Sequence, residues 1–168
     1  MAGSKKTSAG SVALGGVLAA LAVVVMSMGT LIPVAAYVCP CACALLLQVV
    51  LKTCGSRMAW AWYGAVAVLS MLLAPDKEAG AVFLFLGYYP IVKPKLDRRK
   101  LSWLWKGLLF NGAEALMYVI LIHLLGMAQI AAEFEEMGRF FLAVFLILGN
   151  VTFFLLDRLL GMKAKKIL

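Results

Sequence analysis

Residues 72–95 read LLAPDKEAGAVFLFLGYYPIVKPK, and the interpretation of the whole sequence depends on how this stretch is divided. Three consecutive charged residues, Asp76, Lys77 and Glu78, interrupt a strongly apolar run, and two tyrosines, two prolines and two lysines end it. The stretch is either a ligand-binding loop between two membrane helices or a polar hairpin with an anchor at each end. The composition and the charge pattern of the rest of the chain bear on this choice.

The composition is that of an integral membrane protein. Hydrophobic residues make up 64% of the 168 residues, charged residues make up 14%, and the mean hydropathy is +0.98. An ordinary soluble domain is about 45–50% apolar and about 25% charged. No soluble domain is left over. The net charge of +8 is carried by short basic loops, which orient membrane helices, and it does not indicate nucleic-acid binding.

Hydropathy predicts an all-α, single membrane domain over residues 1–168 with six transmembrane helices. A spanning helix needs about 20 predominantly apolar residues. The basic start resembles a signal peptide, but the apolar run from Val12 is too long for one, so we interpret it as a retained first helix. The fourth helix is the shortest and has Pro90 near its end. The predicted helices cover about 12–30, 33–51, 58–74, 79–92, 107–127 and 139–160.

The distribution of positive charge supports the fourth helix. With the N-terminus inside and six helices, 14 of the 16 lysines and arginines fall on the inner side, and only Lys77 and Arg139 fall outside. Without the fourth helix, the basic segment 93–106 would lie outside, against the positive-inside rule. The pattern therefore predicts a multi-pass protein of a cell membrane, such as a bacterial plasma membrane, with both termini cytoplasmic.

The inner side is also marked by aromatic and basic residues. The four tryptophans, at positions 60, 62, 103 and 105, flank the inner ends of predicted helices, where amphipathic rings prefer the headgroup level. The basic segment 93–106, KPKLDRRKLSWLWK, interleaves leucine and tryptophan with charge. We expect it to form an amphipathic helix on the inner leaflet or to dock a cytoplasmic partner.

Glu114 is the most informative polar residue of the predicted membrane region. An ionisable residue half-way along a membrane helix should face the bundle interior or a wet cavity. Asn111 and Tyr118, at i−3 and i+4, share its helix face, and Asn150 is a mid-membrane polar residue of the sixth helix. These residues either serve a function or form an interhelical hydrogen-bond clamp, and the sequence leaves both possibilities open.

Motifs for catalysis or metal binding are weak. Cys39, Cys41 and Cys43 are spaced like thiolate ligands, but in a helix only the outer two share a face, and a structural zinc site needs four ligands. We favour a packing role for these cysteines. His123 is the only histidine and does not share a helix face with Glu114. The sequence therefore predicts no enzyme activity, no cofactor and no metal.

The first helix carries a stripe of small residues, in the pattern ALGGVLAALAVVVMSMGTLIP of residues 13–33. Gly16 and Ala20 lie four residues apart, a spacing that allows another helix to approach closely. Together with the size, the six helices and the absence of a nucleotide motif, this pattern resembles the substrate-binding S component of energy-coupling factor (ECF) transporters. Gly16 and Ala20 are the nearest match to the family's small-residue stripe, from which Ala13 and Val17 depart.

The resemblance implies a membrane-embedded subunit that binds a vitamin-like micronutrient and hands it to a transmembrane coupling subunit with ATPase subunits. Gly16 and Ala20 would then dock the coupling subunit. The implied substrate pocket lies near the outer face, and the candidate substrate-binding residues are Asp76, Glu78, Asn111, Glu114, Tyr118 and Asn150.

Two other functions fit the sequence. A structural or regulatory membrane protein would use the segment 93–106 to bind membrane lipids or a cytoplasmic partner, with Glu114 and Asn150 as clamps. A proton-coupled carrier would use Glu114 as its relay. Independently of any ligand, Asp76 and Glu78 suit the first turn of the fourth helix, where the helix dipole favours acids.

Overall fold

The computed structural model describes residues 9–28, 35–123 and 146–162, and this part of the chain is helical with no strand. The all-α expectation is thereby confirmed for these residues. Residues 146–162 are helical and are called the 146–162 segment below. The other helices are α1 (Ala9–Ser27), α2 (Ala35–Cys54), α3 (Ser56–Leu73), α4 (Lys77–Leu86), α5 (Tyr89–Leu96) and α6 (Ser102–His123).

Two of the described helices are long and apolar enough to cross a membrane, judged by length and composition. They are Ala9–Ser27, with a mean hydropathy of 2.3, and Tyr37–Cys54, with a mean hydropathy of 1.7. This finding agrees with membrane association. The parts of the predicted spans at 29–34, 124–127 and 139–145 lie outside the described residues, and the count of six spans stays a prediction.

The predicted fourth helix is two helices. Instead of one helix over 79–92, α4 ends at Leu86, and α5 begins at Tyr89 after a turn at Gly87 and Tyr88. Pro90 explains the break, because it has no N–H to donate to the Leu86 carbonyl and its ring would clash with that carbonyl.

Neighbouring side chains hold the break between α4 and α5. A Cβ at Gly87 would lie 2.5 Å from the Phe83 carbonyl oxygen, so no other residue fits there without a shift. The Tyr63 hydroxyl donates to the carbonyl of Leu84, in the last turn of α4, where carbonyls lack intrahelical donors. Tyr88 stacks against Trp60, with ring centroids 6.3 Å apart.

The basic segment 93–106 is not one amphipathic helix, contrary to the sequence-based expectation. It comprises the end of α5, a turn over 97–101 and the start of α6 at Ser102. Leu101 has a φ of 61°, in the left-handed region that a leucine adopts only at a cost. A helix cannot continue through this residue, so α5 and α6 are separate helices. α6 begins at Ser102, five residues before the predicted start at 107.

The chain divides into two compact units, Met1–Asp97 and Arg98–Leu168, called the first and the second unit. In the first unit, α1, α2 and α3 pack on one another, and α4 packs on α2 and α3. Their shared core is apolar and includes Met26, Leu47, Val66 and Phe83, all buried. The single membrane domain stays a prediction.

Hydrogen bonds to the α1 backbone fix which side of α1 faces the core. The indole Nε1 of Trp62 donates to the carbonyl of the buried Gly15 at 3.0 Å. Trp62 is itself buried, so it is not the interfacial residue that the sequence predicted. This contact places Gly15 on the side of α1 that packs against α3. Gly16 and Ala20 consequently lie on the exposed side of α1.

In the second unit, α6 and the 146–162 segment are antiparallel. Lys106 contacts Asp157, Phe110 stacks on Phe153 with ring centroids 4.6 Å apart, and the side chain of Glu114 lies against Gly149. The outward side chains of both helices are large and apolar, and include Leu108, Leu116, Ile147, Val151 and Phe154. Lys106, Asp157 and Glu114 therefore lie where these two helices meet.

Candidate functional site

The charged turn at 76–78 is built from helix caps. Asp76 is the N-cap of α4, and its Oδ1 accepts from the backbone N–H groups of Glu78 and Ala79 at 2.9 and 3.2 Å. These groups have no intrahelical acceptor, and an aspartate at this position is among the preferred caps. This contact is the physical reason for the acidic residue that we expected at the start of α4.

Lys77 caps the preceding helix. Its Nζ donates to the carbonyls of Met71, Leu72 and Ala74 at 2.9, 3.3 and 2.9 Å, at the end of α3. A cation at a helix C-terminus meets carbonyls without intrahelical donors and the negative end of the dipole. Two opposite charges in this turn therefore cap two helices: Lys77 caps the C-terminus of α3, and Asp76 caps the N-terminus of α4. Glu78 is half-buried in the first turn of α4, where the dipole also favours it.

Asn111 and Asn150 form a reciprocal amide pair between α6 and the 146–162 segment. The Nδ2 of each donates to the Oδ1 of the other, at 3.1 and 3.0 Å. Each Nδ2 also donates to the carbonyl four residues earlier in its own helix, Gly107 and Leu146, both at 2.8 Å. An amide nitrogen has two N–H donors, so both donors of each asparagine are in use. This is the geometry of an interhelical clamp.

Glu114 lies one helical turn from the amide pair and is 2% exposed. A Cβ at Gly149 would lie only 2.7 Å from its Oε1 and 3.2 Å from Cζ of Phe110. The carboxyl group thus occupies the space that a larger residue at position 149 would need. Burial of an ionisable group in this way is costly, which makes Glu114 the strongest functional candidate of the second unit.

An ion pair lies at the opposite end of this set of polar residues. Nζ of Lys106 contacts both carboxylate oxygens of Asp157 at 3.1 Å, with both side chains largely buried. Hydropathy did not point to Lys106, Asp157 or Gly149 as contact residues. The antiparallel register of α6 and the 146–162 segment identifies them, because it places position 106 beside 157 and position 114 beside 149. We call Lys106, Asn111, Glu114, Asn150 and Asp157 the polar seam.

The structure brings some of the predicted substrate-binding residues together. Asn111, Glu114 and Asn150 lie in the polar seam, and Tyr118 is half-buried one turn beyond Glu114 on α6. Asp76 and Glu78 belong to the first unit and lie at the start of α4. Their assignment to a substrate site stays a prediction.

The cysteines contribute to helix packing. Sγ of Cys43 donates to the Ala22 carbonyl at 3.5 Å, and Sγ of Cys54 donates to the Ser11 carbonyl at 3.3 Å, both on α1. None of the four cysteines, all of which are described, is in a disulfide. Within the described ranges, no three histidine, cysteine or acidic residues come together in a way that could hold a metal ion.

The chain matches no protein-family model, no curated protein and no solved structure. The residues and their geometry therefore carry the functional argument.

Proposed function

We propose that the chain is a multi-pass membrane protein that acts as the substrate-binding subunit of an ATP-driven importer of a small, vitamin-like molecule. Six membrane spans, as predicted from the sequence, would place both termini in the cytoplasm of a bacterial cell. It would hand its solute to a transmembrane coupling subunit that works with ATPase subunits. The resemblance of its first helix and its size to ECF S components suggests this role.

The polarity of the second unit supports the placement in a membrane. Large apolar side chains point outward from α6 and from the 146–162 segment, while ions and amides lie between them. In water this arrangement would expose a wide apolar surface. In a bilayer it is the expected one, because lipid chains solvate the apolar surface and polar groups satisfy one another between helices.

The outward face of α1 is the observation that carries the docking part of the proposal. Gly16 and Ala20 are exposed, and a Cβ added at Gly16 would meet nothing within 4 Å. Val17 and Val24, beside them, are also exposed. A face of small residues with valines beside it allows the backbone of another membrane helix to approach closely. The coupling subunit would supply that helix.

Glu114 is the residue to which we assign solute binding. The amides of Asn111 and Asn150 form the clamp. A buried carboxylate is a group that can accept hydrogen bonds from a solute or balance its positive charge. The clamp would hold α6 and the 146–162 segment in register around this carboxylate.

Native mass spectrometry of the gently purified chain tests both parts. We expect a retained small molecule and a co-purifying coupling subunit in the wild type. Gly16→Leu should reduce the amount of coupling subunit at least tenfold, because a large side chain keeps the helices apart. Gly112→Leu is the matched control, since Gly112 is also an exposed helical glycine with an open Cβ position.

Two outcomes would contradict the proposal. One is an unchanged amount of coupling subunit in Gly16→Leu, which would remove α1 as the docking face. The other is an unchanged amount of retained ligand in Glu114→Gln, which would remove Glu114 from the solute site. Solute uptake by the purified chain alone in liposomes would favour a proton-coupled carrier instead.

A structural or regulatory membrane protein is the second candidate function. The clamp of Asn111 and Asn150 and the caps of Asp76 and Lys77 favour it, because each has a purely structural use. In this case Glu114→Gln should keep the cellular phenotype, and neutralising Arg98, Arg99 and Lys100 should abolish it.

A further inference from the structure

The turn between α5 and α6 exposes three consecutive cationic side chains, Arg98, Arg99 and Lys100. We call these three residues the basic turn. The lysines at both ends of the surrounding segment are engaged, since Lys93 pairs with Asp97 at 3.6 Å and Lys106 pairs with Asp157 at 3.1 Å. Among the described residues, the basic turn is in no such ion pair. Its charge is therefore available to an anionic partner.

Arg99 is held in position by an aromatic ring. Its guanidinium carbon lies 4.9 Å from the ring centroid of Trp105, one turn into α6. A guanidinium over an aromatic ring can still use the N–H groups at its edge to bind oxygen atoms. Its planar fork of donors suits the bidentate geometry of a phosphate.

Exposed apolar side chains follow directly after the basic turn. Leu101 is exposed in the turn itself, and Leu104 and Leu108, four residues apart, lie along one side of the start of α6, where Leu108 is 65% exposed. We call these three the leucine ridge. Trp103, which is 71% exposed, lies beside it. Along the chain, positive charge thus comes first, leucine and tryptophan interleave over 101–105, and Leu108 follows about one turn further into α6.

This order matches the layers of a membrane surface. Cations meet lipid phosphates, tryptophan prefers the headgroup level, and leucine prefers the acyl chains. A soluble acidic partner would account for the charge of the basic turn but not for the exposed leucine ridge, which is continuous with the apolar outer face of α6. The arrangement therefore favours lipid over a cytoplasmic protein.

We propose that the basic turn and Trp105 bind the phosphate of anionic phospholipid headgroups in the inner leaflet, with the leucine ridge in the adjoining acyl layer. This inference rests on the membrane placement proposed above, but it requires neither a solute nor a coupling subunit. Bound lipid would fix the depth of the start of α6, the helix that carries the polar seam.

Quenching of tryptophan fluorescence by brominated lipids tests the inference. The full chain is reconstituted in vesicles of phosphatidylcholine and phosphatidylglycerol, of which one or the other carries the bromine. Subtracting the signal of a Trp103→Phe/Trp105→Phe variant isolates these two rings. We expect stronger quenching by brominated phosphatidylglycerol. Each basic residue near an anionic surface contributes roughly fivefold in affinity, so three contribute on the order of a hundredfold.

The decisive variant is Arg98→Gln/Arg99→Gln/Lys100→Gln, which should lose the preference for phosphatidylglycerol. The matched control is Lys52→Gln/Arg57→Gln/Arg158→Gln, which removes the same charge from other exposed positions and should keep the preference. An unchanged preference in the first variant, or an equal loss in the control, would overturn the proposed site.

The remaining outcomes separate this inference from the proposed function. If neither brominated lipid quenches the two rings, the membrane placement itself fails, and the lipid site fails with it. If the wild type shows no preference between lipids but polyglutamate shifts the fluorescence of Trp103 and Trp105, the basic turn binds an acidic partner and the lipid site is wrong. If the chain binds neither a solute nor a coupling subunit, the proposed function fails, but the expected result of the lipid assay does not change.

Discussion

The helix contacts of the first unit and those of the second unit use different chemistry. In the first unit, α1 packs on α2 and α3 through small residues, and the indole of Trp62 and two thiols donate to α1 backbone carbonyls. In the second unit, side chain meets side chain, as an amide pair, an ion pair and a buried carboxyl group. Loss of volume should therefore break the first unit, and loss of a polar partner or of free space should break the second.

Trp62 should give the largest effect, because its large ring is buried and its indole contacts the α1 backbone. Trp62→Ala removes a buried ring from a core that cannot close completely, and we expect the free energy of unfolding to fall by about 3–5 kcal/mol. Trp62→Phe keeps most of the volume and loses the hydrogen bond to Gly15, and we expect a loss of about 1 kcal/mol. Denaturant titration in detergent micelles measures both.

Equal losses in the two Trp62 variants would break the comparison between the units. They would mean that the hydrogen bond to the Gly15 carbonyl, rather than the ring volume, holds α3 on α1. Trp103→Ala serves as a control, because this tryptophan is exposed and its removal should change the free energy of unfolding by less than about 0.5 kcal/mol.

Gly149→Ala should give the next largest effect. The new methyl group would lie 2.7 Å from Oε1 of Glu114, so the carboxyl group or the helix must move. Forcing an extra methyl group into a packed site costs about 1–3 kcal/mol, of which the better helix propensity of alanine offsets up to about 1 kcal/mol. Thermal unfolding in micelles should show a lower Tm, and Glu114→Ala in the same chain should restore part of it.

Gly161→Ala is the control for Gly149→Ala. It lies on the same helix, a Cβ there would meet nothing within 4 Å, and alanine is the better helix former by up to about 1 kcal/mol. We expect Gly161→Ala to keep or raise the Tm. A stabilising effect of Gly149→Ala would contradict the predicted loss, because it would show that the Glu114 side chain moves aside at little cost.

The amide pair should give the smallest of the three effects. Asn111→Ala and Asn150→Ala each leave the other amide with fewer partners, and the double variant removes both. Interhelical polar pairs in membrane proteins have coupling energies of about 0.6 kcal/mol on average and about 1.7 kcal/mol at most. A double-mutant cycle on the free energy of unfolding measures this coupling. A coupling energy near zero would show that Asn111 and Asn150 do not clamp the two helices.

Hydropathy predicted the helices more completely than their ends and contacts. It gave the approximate extent of α1, α2 and α3, because long apolar runs are a strong signal. It merged α4 and α5, because an apolar run continues through Gly87 and Tyr88 although the backbone hydrogen bonds do not. The loss of the N–H at Pro90 is a local event that hydropathy cannot register.

Pairing between distant residues was the part that the sequence could not supply. Helix periodicity placed Asn111 and Glu114 on one face of α6, but the partner of Asn111 depends on the register of two helices far apart in sequence. Trp62 was expected at a membrane interface because a tryptophan prefers that level. It is instead buried, and its indole donates to the carbonyl of Gly15, 47 residues earlier in the chain.

The placement of the turn at Pro75 and the basic turn on opposite sides of a membrane is the claim on which both proposals depend. Single cysteines at Pro75→Cys and Lys100→Cys, both exposed positions, can be labelled with a membrane-impermeant maleimide in intact cells and again after permeabilisation. The four native thiols set the background, which the wild-type chain measures. We predict that the cysteine at position 75 is labelled in intact cells and that the cysteine at position 100 is labelled only after permeabilisation. Labelling of both positions in intact cells, or of neither until permeabilisation, would contradict the account.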